Sequence, residues 1–255
     1  MASIVITGAN QGIGYYMAEQ LLEAGHKVAV LDLEIGNIQS LKDKYKDNLL
    51  CFIADVREQA QVETAIAEMV ACFHTVDIAV HNACLCTFEM EANTDIDTYR
   101  SVMNVNYFGA LNVAKTVLPY MVKQNRGRII FTSSGVGVTG FAGISPYASS
   151  KGAIESLAKC LKIEYAKNNI TFHIFHPPLT RTKSSDPLPV PKEFMANPEN
   201  VGHGLAKHIM SKRFIICHSL GQKIQTMGCY LFPLKIGNLL TKLTSNYADI
   251  KEGQQ

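Results

Sequence analysis

Apolar positions along this chain follow two alternating rhythms. Short continuous apolar runs cover Ser3 to Thr7, Val28 to Leu31, Asn48 to Ala54, Val76 to Val80, Ile129 to Thr132 and Thr171 to Phe175, as in strands buried on both faces. Between them the spacing changes to three and four. Met17, Leu21 and Leu22 mark one helix, and Val62, Ile66, Met69, Val70 and Phe73 a second. Tyr99, Val102, Met103, Ala110, Val113 and Val117 lie on one long helix between Asp95 and Gln124. Another helix leads from Tyr147 to about Asn168, and Phe214 to Cys217 reads as a last strand. Such alternation predicts an α/β fold: a Rossmann-like, doubly wound parallel sheet of about seven strands with helices on both faces.

Two stretches leave the rhythm. Residues 179–198 lose periodicity and carry Pro187, Pro189, Pro191 and Pro198, which predicts a stiffened substrate loop over the site. Residues 219–245 crowd Tyr230, Leu231, Phe232, Leu234, Ile236, Leu239 and Leu240 together, yet Pro233, Lys235 and Gly237 interrupt them too often for a membrane span. This apolar C-terminal segment is expected to line the site, a subunit contact or a membrane surface. The length and the unbroken composition of the first 180 residues fit one catalytic domain over residues 1–255.

Composition narrows the function. A net charge of +2 with intermixed signs offers no face for nucleic acid. Seven cysteines include Cys84-x-Cys86 but no zinc spacing, so no metal is expected and reduced thiols are the reading. The first strand begins at the chain's start and no apolar run is long enough to span a bilayer, which points to the cytoplasm.

Chemistry gathers where strands end. The first strand runs into Gly8-Ala9-Asn10-Gln11-Gly12-Ile13-Gly14 and then a helix, the strand, glycine turn and helix N-terminus that admit a pyrophosphate to main-chain N–H groups. Asp32 closes the second strand, where a carboxylate can accept both ribose hydroxyls of an adenosine and repel a 2′-phosphate. NAD is therefore expected over NADP. Asp55 follows the third strand and could reach the adenine or only enter the next helix; Asn82 and Ala83 follow the fourth and could line the ribose. Asn106 falls on the apolar stripe of the long helix, either packed with local partners or holding ordered water. His176 ends the sixth strand, as a candidate base or as a core or loop histidine. Ser134 ends the fifth, thirteen positions before Tyr147, and Tyr147-x-x-x-Lys151 stacks a phenol and an ammonium on one helical face. In such a trio Ser134 orients a substrate oxygen, Tyr147 moves its proton, and the Lys151 charge is expected to lower the phenol's pKa.

These residues resemble the short-chain dehydrogenases/reductases over about residues 3 to 218. The turn Thr7-Gly8-x-x-x-Gly12-x-Gly14, Asp55-Val56, Asn82-Ala83, Asn106, Ser134 and Tyr147-x-x-x-Lys151 fall in that family's order and spacing. The resemblance implies that Asn106, Ser134, Tyr147 and Lys151 are catalytic, with Asn106 positioning a relay water. It also implies that Tyr147 and Lys151 contact the nicotinamide ribose side, that Thr182 meets the carboxamide beyond Pro177, and that the protein is a homodimer or homotetramer. Two positions depart from the family pattern: His81-Asn82-Ala83-Cys84 stands for Asn-Asn-Ala-Gly, and Pro177-Pro178 for Pro-Gly. The double proline is similar to that of the 3-ketodihydrosphingosine reductase branch, whose substrates are long-chain keto-lipids. The expected activity is NAD-linked interconversion of a secondary alcohol and a ketone on a small apolar or lipid-like molecule. A cofactor-binding regulator without turnover, or a scaffold using the C-terminal segment, are the alternatives.

Overall fold

Aliphatic residues fill the strands and decide the layering. In a computed structural model, which describes residues 1–252 with side chains through residue 245, seven strands pair in parallel in the order β3-β2-β1-β4-β5-β6-β7. They are β1 (Ser3–Thr7), β2 (Lys27–Asp32), β3 (Leu49–Ile53), β4 (Ile78–His81), β5 (Gly127–Thr132), β6 (Ile170–Phe175) and β7 (Ile215–Ile216). The order reverses between β1 and β4, where the carboxyl ends of two strands diverge and open a crevice. Alternate residues feed opposite faces: Val5, Ala29, Leu31, Ile129 and Phe131 join one core, and Ile4, Ile6, Val28, Val30 and Ile130 the other.

Helices α1 (Gly12–Glu23), α2 (Gln59–Phe73), α3 (Ile96–Met103), α4 (Gly109–Gln124), α5 (Ser145–Glu164) and α6 (Pro198–Lys207) cover both faces. The first core packs beneath α2, α4 and α5, the second beneath α1 and α6. Strand β4 starts two residues later than its apolar run suggests, because the Gln124 side chain takes both the N–H and the C=O of Val76, at 3.1 and 3.0 Å. The long helix expected over 95–124 is continuous but not uniform: Asn104–Phe108 forms a π turn between α3 and α4, a distortion that tends to mark functional positions.

Residues 179–198 are not structureless. Thr180 bridges Ala196, and short turns at Lys183–Ser185 and Lys192–Phe194 stiffen the excursion. The apolar C-terminal segment resolves into α7 (Leu220–Leu231) and α8 (Pro233–Glu252). Pro233 sits at the first position of α8, where its missing N–H costs nothing.

Candidate active site

One cavity of about 590 Å³ runs along the carboxyl ends of the strands. Of the residues singled out from the sequence, Gly8, Gln11, Gly12, Ile13, Asp32, Asp55, Val56, Asn82, Ala83, Ser134, Tyr147, Lys151, Pro177 and Thr182 line it. Asn10, Gly14 and Asn106 stand behind its wall, and each supports it. The Asn10 side chain accepts the N–H groups of Asn37 and Ile38 at 2.9 and 3.0 Å, and its own N–H donates to Asp32 Oδ2 at 2.8 Å. A Cβ on Gly14 would stand 2.2 Å from the Gly8 carbonyl oxygen, so only glycine lets α1 start this close to β1.

The nucleotide end fits a dinucleotide by shape. Gly8 adopts φ +66°, and a Cβ there would lie 2.6 Å from Ala83 Cα, so the turn is bare backbone pressed against the end of β4. Gln11 precedes α1, and Gln11, Gly12 and Ile13 line the cavity at the helix start, where the N-terminal dipole favours an anion. Asn82 Nδ2 donates to the Gly8 carbonyl at 2.8 Å and ties β4 to the turn. Thr182 leans over Gly12, within 3.0 Å of where a Cβ would be, so the 179–198 loop reaches the glycine turn. The Asp55 carboxylate is held by Arg57 Nε at 3.0 and 2.9 Å, and the guanidinium keeps its carboxyl below the ordinary value.

The reacting end is organised by α5 against the end of β5. Pro146 in the first turn of α5 fixes its start, and four residues separate Tyr147 from Lys151. Lys151 is 1% exposed, donates from Nζ to the Thr132 carbonyl at 2.8 Å, and lies 5.3 Å from the centroid of the Tyr147 ring. Ser134 lines the cavity with Tyr147, and its hydroxyl favours the ionised phenol. The electrostatics differ from the sequence expectation of a lowered phenol. Burial raises Tyr147 well above its ordinary value, the Cys84 and Cys86 thiols add to this, and the Ser134 hydroxyl opposes it. Burial also lowers Lys151. Desolvation is the largest cause for both groups, because each ion is costly to take out of water. Cys86, pushed up to about 12 by burial, stays a thiol.

Asn106 is satisfied from outside its own helix. Its Oδ1 accepts Leu85 N–H at 2.8 Å, and Nδ2 donates to the Leu85 carbonyl at 3.0 Å and to Ser150 Oγ at 2.8 Å. Both amide N–H groups are committed, so the side chain clamps the strand-end segment of Cys84 and Cys86 against α5. His81, fully buried, lies beside it. Thr7 Oγ1 accepts the N–H groups of Asn82 and Ala83, each at 3.2 Å, so its own proton goes to His81 Nδ1 at 3.1 Å. The imidazole proton therefore sits on Nε2, facing the Asn106 and Val105 carbonyls of the π turn at a geometry short of a hydrogen bond. Burial, with the Lys151 charge, pushes His81 down to about 3 and keeps it neutral.

Sequence reasoning missed a second polar cluster under the site. Glu155, 4% exposed and one turn beyond Lys151, accepts Ser133 Oγ at 2.9 Å and His176 Nε2 at 2.8 Å on one oxygen, and the Tyr230 hydroxyl at 2.6 Å on the other. Burial raises the Glu155 carboxyl, but the His176, Tyr230 and Ser133 hydrogen bonds outweigh it and leave a net lowering. Glu155 joins the ends of β5 and β6 to α5 and to the C-terminal α7. A glutamate four residues after Lys151, on the helix's inward face, was a legible signal; Tyr230, 75 positions away, gave none.

A family model described as short chain dehydrogenase matches residues 2–191. The chain is 32% identical over 186 residues to 2-(R)-hydroxypropyl-CoM dehydrogenase of Xanthobacter autotrophicus, covering 70% of this chain and 74% of that protein. It is 30% identical over 255 residues to oxidoreductase UcpA of Salmonella typhimurium, covering 98% and 90% respectively. Among solved structures, a gluconate 5-dehydrogenase from Burkholderia cenocepacia in complex with NADP and tartrate superposes with a TM-score of 0.74 at 27% identity, covering 81% of this chain and 87% of that one. A short-chain dehydrogenase from Streptomyces avermitilis superposes with a TM-score of 0.80 over 100% of this chain and 99% of its own, at 20% identity, a likeness of fold alone.

Proposed function

We propose a reaction and a substrate class for this chain, which belongs to the short-chain dehydrogenase family and is an oxidoreductase of hydroxyl and keto groups that uses a nicotinamide cofactor. It interconverts a secondary alcohol and a ketone, favours NAD(H), and takes an apolar, lipid-like substrate. The observation that carries this reading is the continuity of the cavity: the Ser134, Tyr147 and Lys151 cluster opens onto a wall of Phe141, Ile144, Leu188, Val190, Ile236 and Leu240. The 179–198 loop and the C-terminal helices supply four of these six, in the roles of substrate loop and channel wall of a single catalytic domain. Pro177 and Pro178 line the same cavity, and their similarity to the 3-ketodihydrosphingosine reductase branch supports a long-chain keto-lipid. Self-association into a homodimer or homotetramer fits the exposed Phe108 and Ile163 on the helices around the site.

A bound nicotinamide supplies the hydride for reduction and accepts it in oxidation. The chain does the rest. Gly8, Gln11, Gly12 and Ile13 would hold the pyrophosphate against the start of α1, Asp32 the adenosine ribose, Asn82 and Ala83 the middle of the crevice, and Thr182 with Pro177 its far edge. Tyr147 gives its hydroxyl proton to the carbonyl oxygen in reduction and regains it in oxidation, while the Ser134 hydroxyl holds that oxygen. Lys151 keeps a positive charge near the ring from its anchor on Thr132. Asn106 keeps the Leu85 segment and α5 in register.

Two measurements test the finer parts. NADH should bind on the order of tenfold more tightly than NADPH, because the Asp32 carboxylate meets a 2′-phosphate with like charge. Asp32→Asn, which keeps an acceptor for the Asn10 N–H, should narrow that gap; tighter NADPH binding by the unmodified protein would remove Asp32 from the ribose. Across 2-ketones of increasing chain length, kcat/KM should rise by about fourfold per added methylene while the channel lasts, and Leu240→Asn should flatten the series. A preference for short polar ketones would end the channel reading.

A further inference from the structure

Helix α7 is amphipathic in the reverse sense. Its inward residues are polar or small: Gln222, Thr226 and Cys229 are all buried. Its outward residues Leu220, Ile224, Met227 and Leu231 recur at the spacing of one helical face and are 72, 60, 57 and 62% exposed. Beyond the break before Pro233 the ridge continues through Phe232 and Leu234, 54 and 78% exposed. A solvated helix would turn these faces the other way, so something apolar covers this one in the working protein.

The charge around the ridge selects what covers it. Residues 200–248 contain six Lys and Arg and no Asp or Glu, whereas residues 1–199 carry 17 basic and 20 acidic side chains. Lys223, Lys235 and Lys242 lie on α7 and α8 themselves and are exposed, and Lys235 rests over the Phe232 ring at 5.6 Å. We propose that the α7–α8 face docks on the surface of an anionic lipid bilayer, its apolar ridge inserted among the acyl chains and its lysines at the phosphate level. A second copy of the chain fits less well: among the described side chains of α7 and α8 there are lysines and no carboxylate, so a two-fold contact through this face sets cations against cations. Spanning is excluded on length and polarity, since no helix among the described residues is long and apolar enough to cross a membrane.

The docking face adjoins the cavity. Gln225 is exposed and also lines it, and Ile236 and Leu240 line it from α8. Docking would therefore set the channel mouth at the bilayer. This last clause rests on the lipid-like substrate proposed above; the docking itself does not.

The test is flotation of the full chain with vesicles of phosphatidylcholine alone and of phosphatidylcholine mixed with phosphatidylglycerol, read without substrate. Binding is expected to the mixed vesicles only, and to weaken as salt shortens the screening length. Ile224→Glu with Leu231→Glu, positions outside the cavity lining, should weaken it on the order of a hundredfold while NADH binding and thermal midpoint stay unchanged. Lys223→Glu with Lys235→Glu should abolish the preference for anionic vesicles, each lysine being worth about fivefold; this pair decides the matter if the first variant fails to fold. Absence of binding to anionic vesicles overturns the proposal, as does binding that neither variant changes. Loss of a dimer by Ile224→Glu without vesicle binding assigns the face to a second copy and also overturns it. An enzyme that docks but prefers short polar ketones leaves docking standing and defeats only the channel.

Discussion

Tyr147→Phe should lower kcat by about 10²- to 10⁴-fold, the usual contribution of a positioned acid or base, with NADH affinity kept within a fewfold. The phenol lines the cavity with Ser134 and carries a transferable proton, and Phe keeps the ring that packs over Lys151. The raised pKa of Tyr147 sets the pH dependence. The phenol stays protonated through neutral pH, so ketone reduction, which needs the proton in place, should be flat there. Alcohol oxidation needs the phenolate and should quicken as pH rises toward the raised value. Stopped-flow traces of NADH consumption and formation read both arms. A Phe variant with near-normal turnover would take Tyr147 out of the chemistry, and a reduction rate that falls steeply between about pH 6 and 8 would contradict a phenol held protonated.

Glu155→Ala should be the most destabilising single change in the site region, by about 3 kcal/mol, because it removes the short acceptor shared by Ser133, His176 and Tyr230. His176 has no partner on Nδ1 among the described residues, and the contacts that remain, Ser133 Oγ to the Lys151 carbonyl at 3.4 Å and Tyr230 to His176 Nε2 at 3.5 Å, are long. Urea unfolding, monitored through the thermal midpoint as well, would show the loss; a variant as stable as the parent would mean that water replaces the carboxylate. The same carboxyl predicts a pH effect. Its native value is lowered, so its contribution is fully present above the ordinary 4.5 and is lost as pH falls below that, through the lowered native value. The Ala variant should lack this part of the acid transition. The geometry also warns against simply deleting the C-terminal helices: removing α7 takes Tyr230 from Glu155 and would confuse substrate selectivity with folding.

Much of this was legible in the residues. The parallel sheet with helices on both faces follows from apolar runs whose neighbours in sequence are helices, since a parallel strand buried on both faces must be apolar throughout and must cross over through a helix; the order of the strands does not. The glycine turn was readable because Gly8 and Gly14 stand where backbone meets backbone, a demand that only glycine satisfies. The spacing of Tyr147 and Lys151 placed both on one face because a helix repeats every 3.6 residues, and the structure puts them together. What spacing could not supply was the environment. It suggested a phenol lowered by Lys151, but the balance of charge and burial depends on Cys84, Cys86 and Ser134, which arrive from other strand ends. Asn106 was correctly placed on an apolar stripe, yet its partners Leu85 and Ser150, and the π turn around it, exist only once β4 and α5 flank the helix. Tyr230 showed in the sequence only as one more apolar residue in a crowded segment, because a hydrogen bond to a carboxylate 75 positions away leaves no local pattern. Period and composition act between neighbours along the chain and so determine elements and their faces; which polar groups meet, and how far burial shifts their protons, is decided by contacts that only the folded chain creates.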